Sequence, residues 1–375
     1  MISIIAISDK IFNMLPTNEQ EAMQIWHSSH QELVLRDEDL PEIDVLTCVY
    51  NAESYISNAI ESVLLQSYPN VHLIIVTDPC TDKTIDIIKE HAGKYQNITL
   101  VENTEHKGII ECFNIGLSYC RNQYIARMDL DDLIHPMRFE MQLDYLKKHP
   151  EVSVVSAWMK IFNEKHETRN VTYRDDFELQ KISMLYFSPI SHAASIFRAE
   201  VLKEFGYRNE YKYAEDYDLW FRIMGKYQTA VFPRYLYLYR THSNQVTNER
   251  NLQIIKASWI RIMNNVFQKL DMNYSDDDVL FHIEHFQQGK IPSDKAEWLR
   301  LHNWLNLLVK SNQKSIFFNK QKLKEFIFKN QWQSGFEKFK KELSITELMT
   351  VLNSLIYNGN LIAKTKEIIK HIIKK

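Results

Sequence analysis

The sequence predicts an α/β fold, a Rossmann-like and mainly parallel central sheet flanked by helices, followed by a C-terminal α-helical region. Three observations predict it. Near-continuous apolar runs of strand length alternate with helical periodicity from Ile43 to Glu102. Isolated polar residues stand at the carboxyl ends of those runs, where such sheets bind ligands. Beyond residue 250 the strand-like runs give way to aromatic and aliphatic pairs at helical spacing. With 375 residues, 45% of them apolar and 25% charged, and only 8 glycines and 9 prolines, the chain can bury a sizeable core and carries no repeat or long disordered linker. The expected division is an extension over 1–42 with no assigned role, an α/β domain over 43–250, and a helical region over 251–375.

Taken in order, Ile2 to Ile7 reads as a short strand or anchor, and Thr17 with Gln20 forms a possible capping box before Ala22, Met23 and Trp26. Asp44 to Tyr50 is the first buried strand. Ile56, Ile60, Val63 and Leu64 follow at helical spacing, Tyr68-Pro69-Asn70 turns the chain, and Val71 to Thr77 is the second strand. The loop Asp78 to Asp82 leads to a helix carrying Ile85, Ile88 and His91, and a third strand covers Ile98 to Glu102. Two βαβ units at this spacing indicate a doubly wound parallel sheet. A helix ends over Leu143 to His149, a strand covers Val152 to Trp158, and residues 160–182 read as charged and irregular, a mobile or acceptor-facing segment. The run Phe187 to His192 leads into an apolar stretch, a helix opens over 213–224, and Thr229 to Phe232 is a short strand. The pairs Trp259 and Ile262, and Trp298, Leu301, Trp304, Leu305 and Leu308, are read as helix-packing faces and not as a cofactor box.

Composition excludes several classes. Cys48, Cys80, Cys112 and Cys120 are scattered with no C-x-x-C pair, which argues against a zinc module or a disulfide framework and fits a reducing compartment. Met1 to Ile7 lacks a basic flank and stops at Asp9, too short for a signal peptide. No uncharged run reaches the roughly 18 residues of a membrane span. From Leu301 to Lys375 there are 14 lysines and no arginine against 5 acids, so the tail is basic and the body acidic within a net charge of -3. Ile362, Ile368, Ile369, Ile372 and Ile373 among the terminal lysines form a basic amphipathic helix, which either docks on the body or meets an anionic membrane surface. No nucleic-acid partner is expected.

The residues that carry chemistry lie on one predicted rim. Ile125-Ala126-Arg127-Met128 runs into Asp129-Leu130-Asp131-Asp132, three carboxylates in four residues after a strand. Strand alternation would put Asp129 and Asp131 on one face, able to hold a divalent metal or sugar-nucleotide hydroxyls. The same residues also read as a solvated turn, with Asp132 capping a helix near Leu133. Tyr50-Asn51 and Asp78 fall at strand carboxyl ends beside them, and this convergence favours a binding site. Glu215 and Asp216 open a helix, where acids suit the dipole; the functional reading is a general base. No G-x-G-x-x-G or P-loop is present, so a nucleotide here would rely on side chains and a metal.

Six ordered motifs now form a pattern: Val49-Tyr50-Asn51-Ala52-Glu53, Asp78 with Thr81-Asp82, Asn114-Ile115-Gly116-Leu117, Tyr124 to Asp132, Ala214-Glu215-Asp216-Tyr217, and Tyr239-Arg240-Thr241-His242. Over about residues 43–250 the chain resembles the family 2 inverting glycosyltransferases of the GT-A fold, and is most similar to bacterial enzymes that extend lipooligosaccharide, O-antigen or capsule chains, including β-1,3-N-acetylhexosaminyl- and galactosyltransferases. The resemblance implies Tyr50, Asn51 and Glu53 at the nucleotide base and ribose and Asp78 at the uracil ring. It implies Asp129 at ribose or donor-sugar hydroxyls, and Asp131 with His242 and Asp129 around a Mn²⁺ or Mg²⁺ on the diphosphate. Asp132 would support them and Asp216 would be the base, with Glu215 secondary. Thr77 stands where a second aspartate is usual, Pro79-Cys80 replace Gly-Ser, and Cys48 stands where proline is frequent. Phe113 replaces an arginine whose contact Lys107 or Arg127 would take over. The Q-x-x-R-W motif of processive synthases is missing, which points to one sugar per encounter.

The implied partners are a UDP-sugar and a glycolipid or oligosaccharide acceptor, with the protein cytoplasmic and peripheral at the inner face of a bacterial membrane. Two other classes share parts of this pattern: a non-catalytic nucleotide-sugar-binding scaffold, and a metal-dependent nucleotidyltransferase, which would need a glycine-rich loop where Tyr50 to Glu53 stand.

Overall fold

The computed structural model describes residues 40–163, 165, 167–242 and 251–327, together with Met23, Phe339, Glu342, Leu343, Ser344, Thr346 and Glu347. The expected elements at Ile2 to Ile7 and Thr17 to Ala22, and the terminal basic helix of Ile362 to Ile373, lie outside the described residues. The chain divides into two compact units, one of residues 1–177 and 188–258, the other of 178–187 and 259–375. The sequence boundary at 250 falls near this division. The excursion 178–187, which the sequence reading left in the α/β domain, groups with the helical unit.

The first unit is built on one mixed sheet. Strand β1 (Ile43–Val49) pairs in parallel with β2 (Val71–Thr77) and β4 (Tyr124–Arg127), and β2 pairs in parallel with β3 (Ile98–Glu102). Beyond β4 the direction reverses: β8 (Ile196–Arg198) is antiparallel to both β4 and β6 (Val152–Asn163), and β6 runs parallel to β9 (Gln228–Thr241). The order is β3-β2-β1-β4-β8-β6-β9-β5, with the short β5 (Leu133–Ile134) on the edge and β7 (Thr168–Val171) hairpinned onto β6. β1 and β2 are buried along most of their length, as strands covered on both faces must be. Helix α1 (Ile56–Leu64) buries Ile56, Ala59, Ile60 and Val63, a single stripe at helical spacing. α2 (Thr84–Lys94) and α3 (Ile109–Tyr119) complete the βαβ units, and α4 (Arg138–Lys148) leads into β6.

Two expectations fail here. Residues 160–182 are not irregular: β6 continues to Asn163, β7 pairs with it from Met159↔Val171 to Phe162↔Thr168, and α5 (Phe177–Ser183) follows. Cross-strand partners stabilise a polar hairpin that has no apolar pattern of its own. The strand expected over Thr229 to Phe232 extends to Thr241, passing Pro233 where its register with β6 shifts beside Ala157 and Trp158.

Buried polar side chains hold the loops at the sheet ends. Asp44, fully buried at the start of β1, accepts from the backbone N–H of Arg121 and Asn122 at 2.7 Å each and pairs with His72 at 2.9 Å. It thereby anchors the turn that feeds β4. Arg138 donates from Nε to Gln142 at 2.9 Å and from its guanidinium to the carbonyls of Arg127 and Ser195, while Gln142 bonds the carbonyls of Val155 and Ala194. Burial lowers the Arg138 pKa to about 10. α6 (Ala199–Phe205) and α7 (Glu215–Met224) complete this unit, and α8 (Leu252–Lys269) starts within it.

In the second unit, α9 (Asp276–Phe286), α10 (Lys295–Ser315) and α11 (Lys320–Ile327) pack around Phe267, Trp298, Trp304, Leu308 and Phe318. The expected packing stripe of α10 is buried. His282 accepts from the Trp304 indole at 3.0 Å and bonds the Leu185 carbonyl at 2.9 Å, which joins segment 178–187 to the helices. A capping box, Ser275 with Asp278, starts α9.

Gly116 shows how tightly α3 lies on the sheet, since a Cβ there would overlap Leu46 and stand 2.8 Å from Val76 Cγ2. Gly116→Ala is expected to lower unfolding stability by about 1–3 kcal/mol through overpacking. Gly93→Ala on α2 meets no atom within 4 Å and should gain about 0.5–1 kcal/mol. Urea unfolding of the two variants reads the difference.

Candidate active site

The loops after β1 and β2 are laced together by reciprocal bonds. Asn51, at φ 49°, accepts from the Thr81 N–H at 2.9 Å and donates to the Thr81 hydroxyl at 3.0 Å. The Glu53 N–H donates to Asp82 at 3.1 Å and Glu53 accepts from the Lys83 N–H at 3.0 Å. The side chains of Asn51 and Glu53 therefore shape the loop, and Tyr50, half exposed, presents its ring, edge to face with His106 at 5.4 Å. Asp78 is a hub. It accepts from Asn103 at 2.9 Å, from the backbone N–H of Lys107 at 3.1 Å and of Gly108 at 2.8 Å, from the Cys112 thiol, and pairs with the exposed His106 at 3.0 Å. Partial burial opposes its charge, but these donors prevail and hold its carboxyl below the usual range. The Lys107 ammonium pairs with Glu105 on the exposed surface.

The acidic run after β4 differs from its expected form. The strand ends at Arg127, and Asp129 to Asp132 make a turn closed by the Asp132 N–H on the Asp129 carbonyl at 3.2 Å. Strand alternation therefore does not orient these carboxylates; each takes its own partner. Asp129 pairs with the Arg127 guanidinium, and its N–H donates to the Tyr237 hydroxyl at 3.1 Å. Asp131 meets His242 Nε2 at 3.1 Å, and its carbonyl accepts from Arg240 Nε at 2.9 Å. Asp132 caps no helix, because Leu133 opens β5 and the next helix begins only at Arg138. Its buried carboxyl accepts from the Tyr237 hydroxyl and the Arg240 N–H, both at 2.7 Å. Burial, then the charges of Asp131 and Asp129, push Asp132 well above the usual carboxylate range.

Arg127 lies buried beneath these groups, its guanidinium 4.2 Å from the Phe113 ring centre. The phenylalanine that replaces an expected arginine thus carries a different arginine. Desolvation raises the Asp129 pKa, with Arg127 pulling against it. Glu215 and Asp216 open α7, where backbone N–H groups face acidic side chains. Asp216 accepts from the Ser188 hydroxyl at 2.9 Å and the Tyr217 N–H at 2.7 Å. Burial outweighs these bonds and raises its pKa. Glu215 has one buried oxygen, Oε2, with no hydrogen-bond partner among the described residues. Burial and the Asp216 charge bring its pKa to about 7, with Arg127 lowering and Asp129 raising it further out.

Arg127, Asp129, Glu215 and Asp216 thus lie within electrostatic reach of one another, and Asp131 with His242 adjoins them through the turn. Among the described residues no three His, Cys, Asp or Glu side chains gather as a metal cluster. Asp131 and His242 nevertheless fit a divalent ion, because Mg²⁺-type sites take only one or two protein ligands and complete the shell with substrate phosphate and water. Asp129 is committed to Arg127. The sequence reading missed Ser188, Tyr237 and Arg240 as supports. The alternation Tyr235, Tyr237, Tyr239 was visible as a strand pattern, but which tyrosine faces Asp132 depends on register.

Glu215 yields a pH test. Its folded pKa of about 7 lies above the ordinary 4.5, so the folded state binds this proton more tightly than the unfolded chain. The contribution is fully present below pH 4.5 and is lost as pH rises through 7. Glu215→Gln should therefore be nearly neutral at pH 4 and stabilise the fold at pH 8 by up to about 3 kcal/mol, read by denaturant unfolding at both pH values.

Comparison with known proteins bears on this site. Residues 44–206 match the family described as glycosyl transferase family 2. The chain is 31% identical over 229 residues, 57% of its own length and 70% of the other, to an uncharacterized glycosyltransferase of Haemophilus influenzae. It is 29% identical over 198 residues, half of this chain and 66% of the relative, to the Escherichia coli UDP-Gal:alpha-D-GlcNAc-diphosphoundecaprenol beta-1,3-galactosyltransferase. In fold it is similar to S. aureus TarS 1-349 in complex with UDP-GlcNAc, with a TM-score of 0.53 at 17% identity, covering 76% of this chain and 86% of that one. With the βαβ half-sheet, the acidic turn after β4 and the acidic start of α7 in one unit, the chain belongs to glycosyl transferase family 2.

Proposed function

We propose that this glycosyltransferase is a metal-dependent, inverting and non-processive enzyme. It would move a hexose or N-acetylhexosamine, with β-1,3-N-acetylhexosaminyl or galactosyl transfer as the favoured chemistry, from a UDP-sugar to a saccharide of a bacterial surface glycan. The observation that carries this reading is Asp216, oriented by Ser188 at 2.9 Å within the unit that pairs Asp131 with His242 at 3.1 Å. The β-1,3-galactosyltransferase relative supports the substrate class.

Tyr50 offers its exposed ring to the uracil, and Asp78 holds the neighbouring loop, with the exposed His106 as the contact a base can displace. Arg127 neutralises Asp129 beneath the donor sugar, and the unpartnered Glu215 oxygen is available to a sugar hydroxyl. Asp131 and His242 would hold Mn²⁺ or Mg²⁺, which when bound supplies several kcal/mol of charge stabilisation at the departing diphosphate. Asp216 removes the proton of the acceptor hydroxyl as that oxygen attacks the anomeric carbon. The raised pKa brings the base closer to neutral pH, where proton transfer is most effective. Among the described residues no helix is long and apolar enough to cross a membrane. The basic tail supports a peripheral position at an anionic cytoplasmic leaflet, close to glycolipid acceptors.

Asp216→Asn should leave UDP affinity within about twofold and lower kcat by about 10²–10⁴-fold, the usual scale of general-base help. A wild-type rate would remove Asp216 from this role. Asp131→Ala should weaken UDP-sugar binding and flatten the Mn²⁺ titration, and an unchanged titration would exclude it as a ligand. Product analysis over a UDP-sugar panel checks the class: free UDP marks a transferase, pyrophosphate a nucleotidyltransferase, and neither a scaffold.

A further inference from the structure

Both halves of the Asp131–His242 pair are braced by Tyr55 and Arg240. Tyr55, a residue outside the six motifs, stands immediately before α1, where its N–H donates to the Ala52 carbonyl at 2.9 Å and its carbonyl accepts from the Ala59 N–H at 3.2 Å. These bonds fix the end of the loop that carries Tyr50, Asn51 and Glu53. The Tyr55 ring lies 5.0 Å from that of His242, tilted by 33°. The Arg240 guanidinium carbon sits 4.8 Å from the Tyr55 ring centre and 4.6 Å from that of Phe162. Phe162 of β6, Arg240 of β9, Tyr55 and His242 are therefore linked in series.

Arg240 also reaches the other half of the pair. Its Nε donates to the Asp131 carbonyl at 2.9 Å and its backbone N–H to the Asp132 carboxyl at 2.7 Å. Phe162 and Arg240 are buried, whereas Tyr55, Asp131 and His242 are partly exposed. The series thus starts in the core and ends at the surface, where Asp131 Oδ2 and His242 Nε2 stand 3.1 Å apart. Two neighbouring ligands of an octahedral Mg²⁺-type ion, each about 2.0–2.1 Å from it, are about 3 Å from one another. The pair already has that separation, and ion binding needs it kept.

A partly exposed imidazole turns about its side-chain torsions, and ordering it on binding lowers affinity. A ring packed against it beforehand removes that loss. Arg240 in turn holds Tyr55, since a guanidinium over an aromatic face is attracted by about 0.5–2 kcal/mol. We propose that Tyr55 is a positioning residue for the diphosphate end of the donor: braced by Arg240, its ring holds the His242 imidazole at its spacing from Asp131. The base-binding loop and the diphosphate site are then tied through one side chain. The proposal rests on the reading of Asp131 and His242 as the residues that hold the ion.

The test uses the full chain as wild type, Tyr55→Leu, Tyr55→Phe and Asp131→Ala. Calorimetry measures UDP affinity in EDTA, and Mn²⁺ affinity in saturating UDP. Tyr55→Leu should weaken Mn²⁺ binding about tenfold or more, the usual scale for a residue that orients a metal ligand. Its UDP affinity in EDTA should stay within about twofold of wild type, the scatter of sites that share no partner. Tyr55→Phe, which keeps the ring, should match the wild type in both measurements. Mn²⁺ affinity unchanged in Tyr55→Leu or lost in Tyr55→Phe would overturn the proposal. A fall of UDP affinity in EDTA in Tyr55→Leu would also overturn it, by making Tyr55 a support of the loop alone. No Mn²⁺ bound by the wild type, or affinity unchanged in Asp131→Ala, would remove the metal reading and the role of Tyr55 with it. An unchanged Tyr55→Leu beside an impaired Asp131→Ala removes the positioning role only, so the two failures are distinguishable.

Discussion

One buried cation organises the site. Arg127 is almost fully enclosed, stacked on Phe113, paired with Asp129 and bonded to the Met128 carbonyl. A guanidinium taken from water costs several kcal/mol unless it is paired and hydrogen-bonded, and here the paired carboxylate is Asp129. Its charge opposes the effect of burial on Asp129, Glu215 and Asp216 together. The same charge, after burial, depresses the neighbouring His192, which bonds the Tyr207 hydroxyl at 2.7 Å. The carboxylates can crowd together because this cation lies beneath them. Burial and the neighbouring Asp216 charge outweigh it at Glu215, whose pKa rises to about 7.

The second constraint is how a chain with 8 glycines fixes the loops at the ends of its strands. Glycine-rich loops bring backbone N–H groups to a phosphate directly. Here the loops are held by carboxylates and amides that bind the backbone: Asp44 at the start of β1, Asp78 under 103–108, Asp132 under Arg240, and the pairs Asn51 with Thr81 and Glu53 with Lys83. A carboxylate can accept about four hydrogen bonds, so each of these residues ties several segments at once. The loops they fix leave the Tyr50 ring half exposed beside them.

Much of this was legible in the chain. The parallel half of the sheet followed from apolar runs at Ile43 to Val49 and Val71 to Thr77, because strands buried on both faces need no alternation. The rim followed from polar residues at their ends. Helix α10 followed from Trp298, Leu301, Trp304 and Leu308, since a 3.6-residue period survives any neighbour. Such features are local, and local spacing is enough to express them.

What the tertiary structure alone decided is long-range. The arm of β6 and β7 exists through cross-strand pairing that Lys160 to Val171 do not announce. Asp132 has the sequence context of a helix cap, yet it faces Tyr237 and Arg240, more than a hundred positions away, and becomes a buried acceptor. Glu215 and Asp216 are neighbours of one type at one helix start; Ser188 bonds the second, and a buried oxygen of the first has no partner among the described residues. Sequence by itself determined that these carboxylates stand at strand and helix ends, because their type and place there are set within a few residues. Their protonation and partners depend on burial and on charges brought from distant segments, and only the folded chain supplies those.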